Sequence, residues 1–185
     1  MHVGDERKAR SYLLSSDWPI LSESVLRGRM GVIVNRLELN KQVVRNHFEA
    51  LNEANYELLD QIHHPQGRNH AQAAFDLSER PQEGVAFGPR EVQGTFEWLR
   101  QGFSNIRVAI LDLLAEGDKV VARVEMTGDH DGKFVGLEPT GRSWQYQHVH
   151  IFRIEDGLIA EHWAVREDLK AMLQLGVIAP PGPPE

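Results

Sequence analysis

The alternating run from Arg142 to Ile154 holds the densest set of chemically capable side chains in the sequence. Successive strand side chains point to opposite sides of a sheet. Trp144, Tyr146, His148, His150 and Phe152 therefore share one face, and Gln145, Gln147, Val149, Ile151 and Arg153 the other. An imidazole titrates close to neutral pH, so it can take or give a proton under ordinary conditions. Two of them beside large aromatics describe the wall of a polar-and-aromatic pocket. Glu155-Asp156-Gly157 predicts a tight turn, and Leu158 to Val165 a second, antiparallel strand. Its end, Glu161-His162-Trp163, is expected beside that wall, with Trp163 a pocket residue.

Other groups could work with this face. Asp168 can pair with Arg166 or orient His150, as a carboxylate orients a catalytic imidazole. It can equally cap the last helix, where negative charge is favoured. Arg123 and Glu125 fall two apart on one strand face, expected inside the pocket. They could act as electrophile and base in an epoxide-opening reaction, or form a cross-strand ion pair. Trp144, Tyr146 and His148 are pocket lining or a dimer interface. Trp98 sits at the pocket rim or in the core. His63, His64 and His70, with Asn69, have ligand-type donors, but His63 and His64 are adjacent and no nearby carboxylate completes a facial set. The expectation is no metal, with His64-Pro65 at the pocket mouth and the following loop as a lid.

These residues need a scaffold, and the sequence supplies one. The 185 residues suffice for one domain of ordinary size with a real core. A 41% hydrophobic and 25% charged composition is that of a soluble globular protein. The net charge of −7 makes nucleic acid and anionic membrane poor partners. Cysteine is absent, which excludes disulfides, thiolate chemistry and Cys-ligated zinc, and fits a cytoplasmic protein. No apolar run approaches the ~20 residues of a membrane span, and no signal peptide is evident.

Residues 1–39 read as an N-terminal extension, partly disordered or a dimer arm, with a short helix near Ser22 to Gly28 and an alternative start at Met30. Asn40 predicts a helix N-cap. Val43, Val44, His47, Phe48 and Leu51 follow at helical spacing, and Tyr56 to Ile62 continues as a shorter helix stopped by Pro65. Gln66 to Gly88 is expected as a long loop. Gly88-Pro89 opens a third helix with the buried stripe Val92, Phe96, Leu99 and Phe103. From Ile106 the period changes to two. Lys119 to Gly128 and Lys133 to Leu137 are further strands, Glu167 to Leu175 a last helix closed by Gly176, and residues 179–185 a Pro-rich disordered tail. Helices first, then four to six antiparallel strands, predict an α+β domain over 40–178. Its curved antiparallel sheet, with helices on one side, would form a cone-shaped α+β-barrel enclosing a pocket.

Several stretches together resemble the SnoaL-like polyketide cyclases and ester cyclases. They are Ala115 to Arg123, Met126 to Gly132, Pro139-Thr140-Gly141-Arg142, Gln147 to Arg153, Asp156 to Trp163 and Gln174-Leu175-Gly176. The resemblance runs from about Asn40 to Gly176. It implies the nuclear-transport-factor-2-like superfold, a homodimer built through the sheets, and no metal or organic cofactor. It also implies cofactor-independent ring closure of the aldol type, or related isomerase or lyase chemistry, on a polyketide-like hydrophobic carbonyl compound. His150 matches a histidine that assists in those cyclases and would be base or oxyanion donor, with Arg166, Asp168 and Tyr146 helping. The acid/base Asp of those enzymes falls on Ala164, and the limonene-epoxide-hydrolase type needs a carboxylate there as well. A non-catalytic small-molecule binder using the same cone is the alternative from another class, and epoxide hydrolysis through Glu125 and Arg123 a further one.

Overall fold

The alternation read in the second half of the chain becomes a single sheet. In the computed structural model, which describes residues 23–71, 81, 83–180 and 182, six strands lie in the order β2-β1-β6-β5-β4-β3. They are β1 (His63–Asn69), β2 (Val85–Ala86), β3 (Phe103–Glu116), β4 (Lys119–His130), β5 (Ser143–Glu155) and β6 (Leu158–Arg166). Neighbours are antiparallel except β1 with β6, which run parallel. The sheet is curved but does not close on itself. Helices α1 (Glu23–Glu53), α2 (Leu59–Ile62), α3 (Pro89–Gly102) and α4 (Asp168–Leu175) complete the α+β architecture. Among the described residues no helix is long and apolar enough to cross a membrane.

Two units are distinguished, residues 1–35 and 36–185. In the first, residues 23–35 are helical. The expected short helix near Ser22 to Gly28 is instead the start of α1, because no proline interrupts Glu23–Glu53. For the same reason Asn40 is not an N-cap but lies inside the helix. It is buried, and its amide reaches the Gly117 carbonyl at 3.5 Å, the limit of a hydrogen bond. Residues 1–22, part of the expected arm, fall outside the described residues.

In the second unit the core lies between the helices and one face of the sheet. Val44, Phe48 and Leu51 from α1 and Val92 and Phe96 from α3 pack on Val120, Ala122, Val124, Met126 and Phe152. Every second residue of β4 from Val120 to His130 is buried, so the apolar set faces the helices and Arg123 and Glu125 face away. A bulge between Ile110 and Asp112 changes the phase of β3, which brings Asp112 opposite Arg123 on the outer side. The strand expected at Lys133 to Leu137 is only a paired bridge of Phe134 with Leu137, since Gly136 (φ 77°) turns the chain between them. The long loop expected from Gln66 to Gly88 is ordered at both ends, as β1 and β2. Its centre, residues 72–80, and with it the middle of the expected lid, lies outside the described residues.

Candidate active site

Between α1, α3 and the inner face of β4, β5 and β6 lies a cavity of about 310 Å³. Its apolar lining comes from Phe48, Leu51, Phe87, Phe96, Val124 and Met126. Its polar lining is dominated by histidine: His47, His148, His150 and His162, with Asn69, Tyr146 and Arg166.

Strand register explains why the histidines meet. Opposite residues of an antiparallel pair share a face. His148 faces Arg166 across the β5–β6 ladder, His150 faces Ala164, and Phe152 faces His162. Ala164 is thus the small member of a row otherwise made of large polar groups. The His150 ring meets His162 diagonally, with His150 Nδ1 2.9 Å from His162 Nε2. On its other side His150 Nε2 lies 3.2 Å from His148 Nδ1. His162 Nδ1 in turn lies 3.0 Å from Asn69 Oδ1 on β1. The result is a hydrogen-bonded chain of three imidazoles ending on an asparagine. A second pair, His47 Nδ1 with His63 Nε2 at 2.9 Å, lies beside it.

Burial keeps these rings neutral. It pushes the pKa of His148 and of His150 from 6.5 down to about 3, with like charge from neighbouring His150 (for His148) and Arg166 (for both) adding to the effect. His162 and His47 are lowered well below the usual value by burial first and neighbouring imidazoles second. His63 is lowered to about 4, again mainly by burial. Each is therefore a free base at neutral pH. Tyr146 is pushed the other way, up, by burial and then by the nearby Asp168 carboxylate, so its hydroxyl keeps its proton. Arg166 makes a forked contact with Asp168, with Nε 3.2 Å from both carboxylate oxygens. The cavity thus offers neutral imidazoles for proton transfer and one guanidinium that can stabilise a developing oxyanion.

Several residues singled out in the sequence share this site: His148, His150, Tyr146 and Arg166 line the cavity, and so does Trp98 at its edge. Asp168 stands behind Arg166 and joins Tyr146 in lining a smaller pocket of about 60 Å³. The others are elsewhere. Arg123 and Glu125, expected inside, are on the outer face, and Arg123 pairs with Asp112 at 2.6 Å and with Gln147 at 3.0 Å rather than with Glu125. Trp163 also faces outward, stacked on His70 with ring centroids 4.7 Å apart. Its placement corrects the expected phase of β6. A shift of register between Arg153 and Ile154 puts Ile159 and Ala160 both in the interior and leaves His162, not Trp163, on the cavity side. His64 points away from the cavity, where its Nδ1 accepts the Gln66 N–H, and the inward neighbour is His63. Trp144 is buried against Phe103 and Tyr146, outside the histidine cavity. It borders the 60 Å³ pocket and a broad surface recess of about 420 Å³. Among the described residues no group of three or more His, Cys, Asp or Glu could hold a metal ion.

The residues to which sequence reasoning gave no role in this cavity are His162, expected only beside the wall, His47 and Asn69. His47 was legible only as a member of a helical stripe. Asn69 was read only beside His63, His64 and His70 as a ligand-type donor, and its link from β1 to β6 joins residues 93 positions apart.

The profile of the SnoaL-like polyketide cyclase family matches residues 41–175. The nogalonic acid methyl ester cyclase of Streptomyces nogalater is 33% identical over 82 residues, which is 44% of this chain and 61% of that protein. The aklanonic acid methyl ester cyclase DnrD of Streptomyces peucetius is 31% identical over 90 residues, 48% of this chain and 62% of that protein. The chain thus spans about three fifths of the length of the curated relatives it matches. Among solved structures, TsrD from Streptomyces laurentii superposes with a TM-score of 0.65 at 28% identity, over 76% of this chain and 97% of that one. A SnoaL-like protein from Jannaschia sp. CCS1, at 23% identity and a TM-score of 0.63 over 78% of this chain and 94% of that one, shares the fold.

Proposed function

This chain belongs to the SnoaL-like polyketide cyclase family, and on that premise we propose that it closes a ring by cofactor-independent, aldol-type chemistry on a polyketide-like hydrophobic carbonyl compound. The observation that carries this reading is the set of neutral imidazoles beside a guanidinium in a largely apolar cavity. Ring closure needs a base for a proton next to a carbonyl and a positive group for the oxygen on which charge develops. The His148–His150–His162 chain supplies the base, and Arg166, held by Asp168, the positive group. Tyr146, kept protonated, adds a hydrogen-bond donor. The enclosing walls hold the chain of the substrate folded on itself, which converts much of the barrier into binding.

The methyl esters of nogalonic and aklanonic acid, named for the relatives, are the substrates to try. Conversion to a cyclised isomer of identical mass, followed by chromatography and mass spectrometry, is the expected result. Substrate recovered unchanged although it binds would overturn the enzymatic reading. It would favour the binding-protein reading, which one feature supports: residue 164, where the family resemblance implies an acid/base carboxylate, is alanine. Exposed Leu114 and Val165 on the outer face of the sheet support the sheet-to-sheet homodimer, which light scattering would test.

A further inference from the structure

The polarity of the imidazole chain can be derived from its far end. The Ala71 N–H points at Asn69 Oδ1 at 2.9 Å, so that atom of the amide is the oxygen, an acceptor. His162 Nδ1, 3.0 Å from the same oxygen, must therefore carry a hydrogen. A neutral imidazole has one N–H, which leaves His162 Nε2 bare. His150 Nδ1, 2.9 Å from it, must then be the donor, and His150 Nε2 is bare in turn. His148 Nδ1, 3.2 Å from that nitrogen, donates to it. The sequence of forced choices ends at His148 Nε2, a bare nitrogen with no hydrogen-bond partner among the described residues. The residue is 6% exposed and lines the cavity.

We propose that Asn69 is a positioning residue that sets the tautomer of all three imidazoles, and that His148 Nε2, rather than either nitrogen of His150, is the atom that accepts the substrate proton. The proposal rests on the cyclase reading above for its reaction, but not for its tautomers. Both nitrogens of His150 are occupied by its neighbours, so that ring passes polarisation along and does not meet substrate. In the step, a carbon–hydrogen bond next to a carbonyl breaks. The proton goes to His148 Nε2 and the electron pair becomes an enolate. The enolate carbon forms the new carbon–carbon bond to a second carbonyl carbon, whose oxygen takes the proton back from His148. Nothing is gained or lost. As His148 becomes cationic, its Nδ1–H bond to His150 strengthens, and so on to Asn69.

Burial argues for this use. It resists protonation from water, which would leave a lone charge in the interior, but not transfer from a bound ligand, which creates enolate and imidazolium together beside Arg166. The charged and titratable groups facing the chain are His47 from α1, His63 from β1, His70 after β1, Arg166 from β6 with Asp168 from α4, and Tyr146 from β5.

The test needs no physiological substrate. In the full chain labelled with nitrogen-15 at histidine, two-bond proton–nitrogen correlation spectra are expected to show His148, His150 and His162 all protonated at Nδ1. Asn69→Leu should scramble that pattern, and Asn69→Asp, which keeps an oxygen acceptor, should preserve it. The base itself is read with a nitrobenzisoxazole, whose ring opens when its carbon-bound proton is removed. His148→Gln and Asn69→Leu should each slow this opening at least ~10-fold, and Asn69→Asp should restore it. A wild-type His148 protonated at Nε2 would overturn the proposal whether or not any variant folds, as would full-rate opening by a folded His148→Gln. Tautomers as stated and opening as expected, but no cyclisation of a polyketide ester, would sink the cyclase reading and leave this one. Cyclisation with His148 protonated at Nε2 would do the reverse.

Discussion

The two faces of the same sheet use polar side chains in opposite ways. On the outer face arginines meet carboxylates: Arg123 with Asp112 at 2.6 Å, Arg153 with Glu161 at 3.0 Å. Those groups are in contact with water, where such pairs contribute ~0.2–1 kcal/mol. On the inner face the histidines meet one another, and Asp168, whose carboxylate acts on Tyr146, is engaged by Arg166. An ionised group there would lack hydration, so the rings stay neutral and hydrogen-bond as donor and acceptor. The difference shows that location, more than residue type, decides which polar residues are available for chemistry. Arg123 and Glu125 have an active-site composition in a structural place.

Breaking the inner face should have the larger consequences. His148→Gln is expected to lower cyclisation by about 10²–10⁴-fold, the usual worth of a positioned acid/base group, measured as kcat/KM with the cyclised product. Phe152→Ala, at a fully buried position touching His47, His150 and His162, should cost about 3–5 kcal/mol in urea unfolding and loosen the imidazole chain with it.

Acid should also discriminate the faces. The folded-state pKa values of His148 and His150 are depressed to about 3 from 6.5. Between those values the unfolded chain binds more protons than the folded one, so stability falls as pH falls. The contribution is complete above about pH 6.5 and is lost on the way to about pH 3. The slope approaches about 1.4 kcal/mol per pH unit for each ring that stays neutral in the fold. Urea titrations from pH 7 to 4 should show that slope decrease in His150→Gln; an unchanged slope would mean that the ring is not held neutral. The smallest effect belongs outside. Glu125→Gln should leave cyclisation within about twofold and stability within ~0.5 kcal/mol, as for a surface group. A loss of activity there would instead revive epoxide opening through the outer pair.

Much of this molecule was legible from local pattern. The period-two runs of β4 and β5, the Gly88-Pro89 start of α3 and the closing Gly176 at φ 75° follow from constraints acting within a few residues. The facing of β6 was not, because one shift of register beside Ile154 reverses every later side chain, and no composition marks it. Asn40 misled for a related reason: a residue with cap chemistry caps only if the preceding turns do not form.

The sequence by itself determined an α+β domain with histidine and aromatic residues on one strand face, since strand periodicity needs no knowledge of distant residues. Tertiary structure alone decided that His162 and Asn69 join that face, that Arg123 and Glu125 leave it, and that His148 Nε2 is left without a hydrogen-bond partner among the described residues. Hydrogen-bond partners across β1, β5 and β6 are set by register and burial, which emerge only when the whole sheet has packed against its helices.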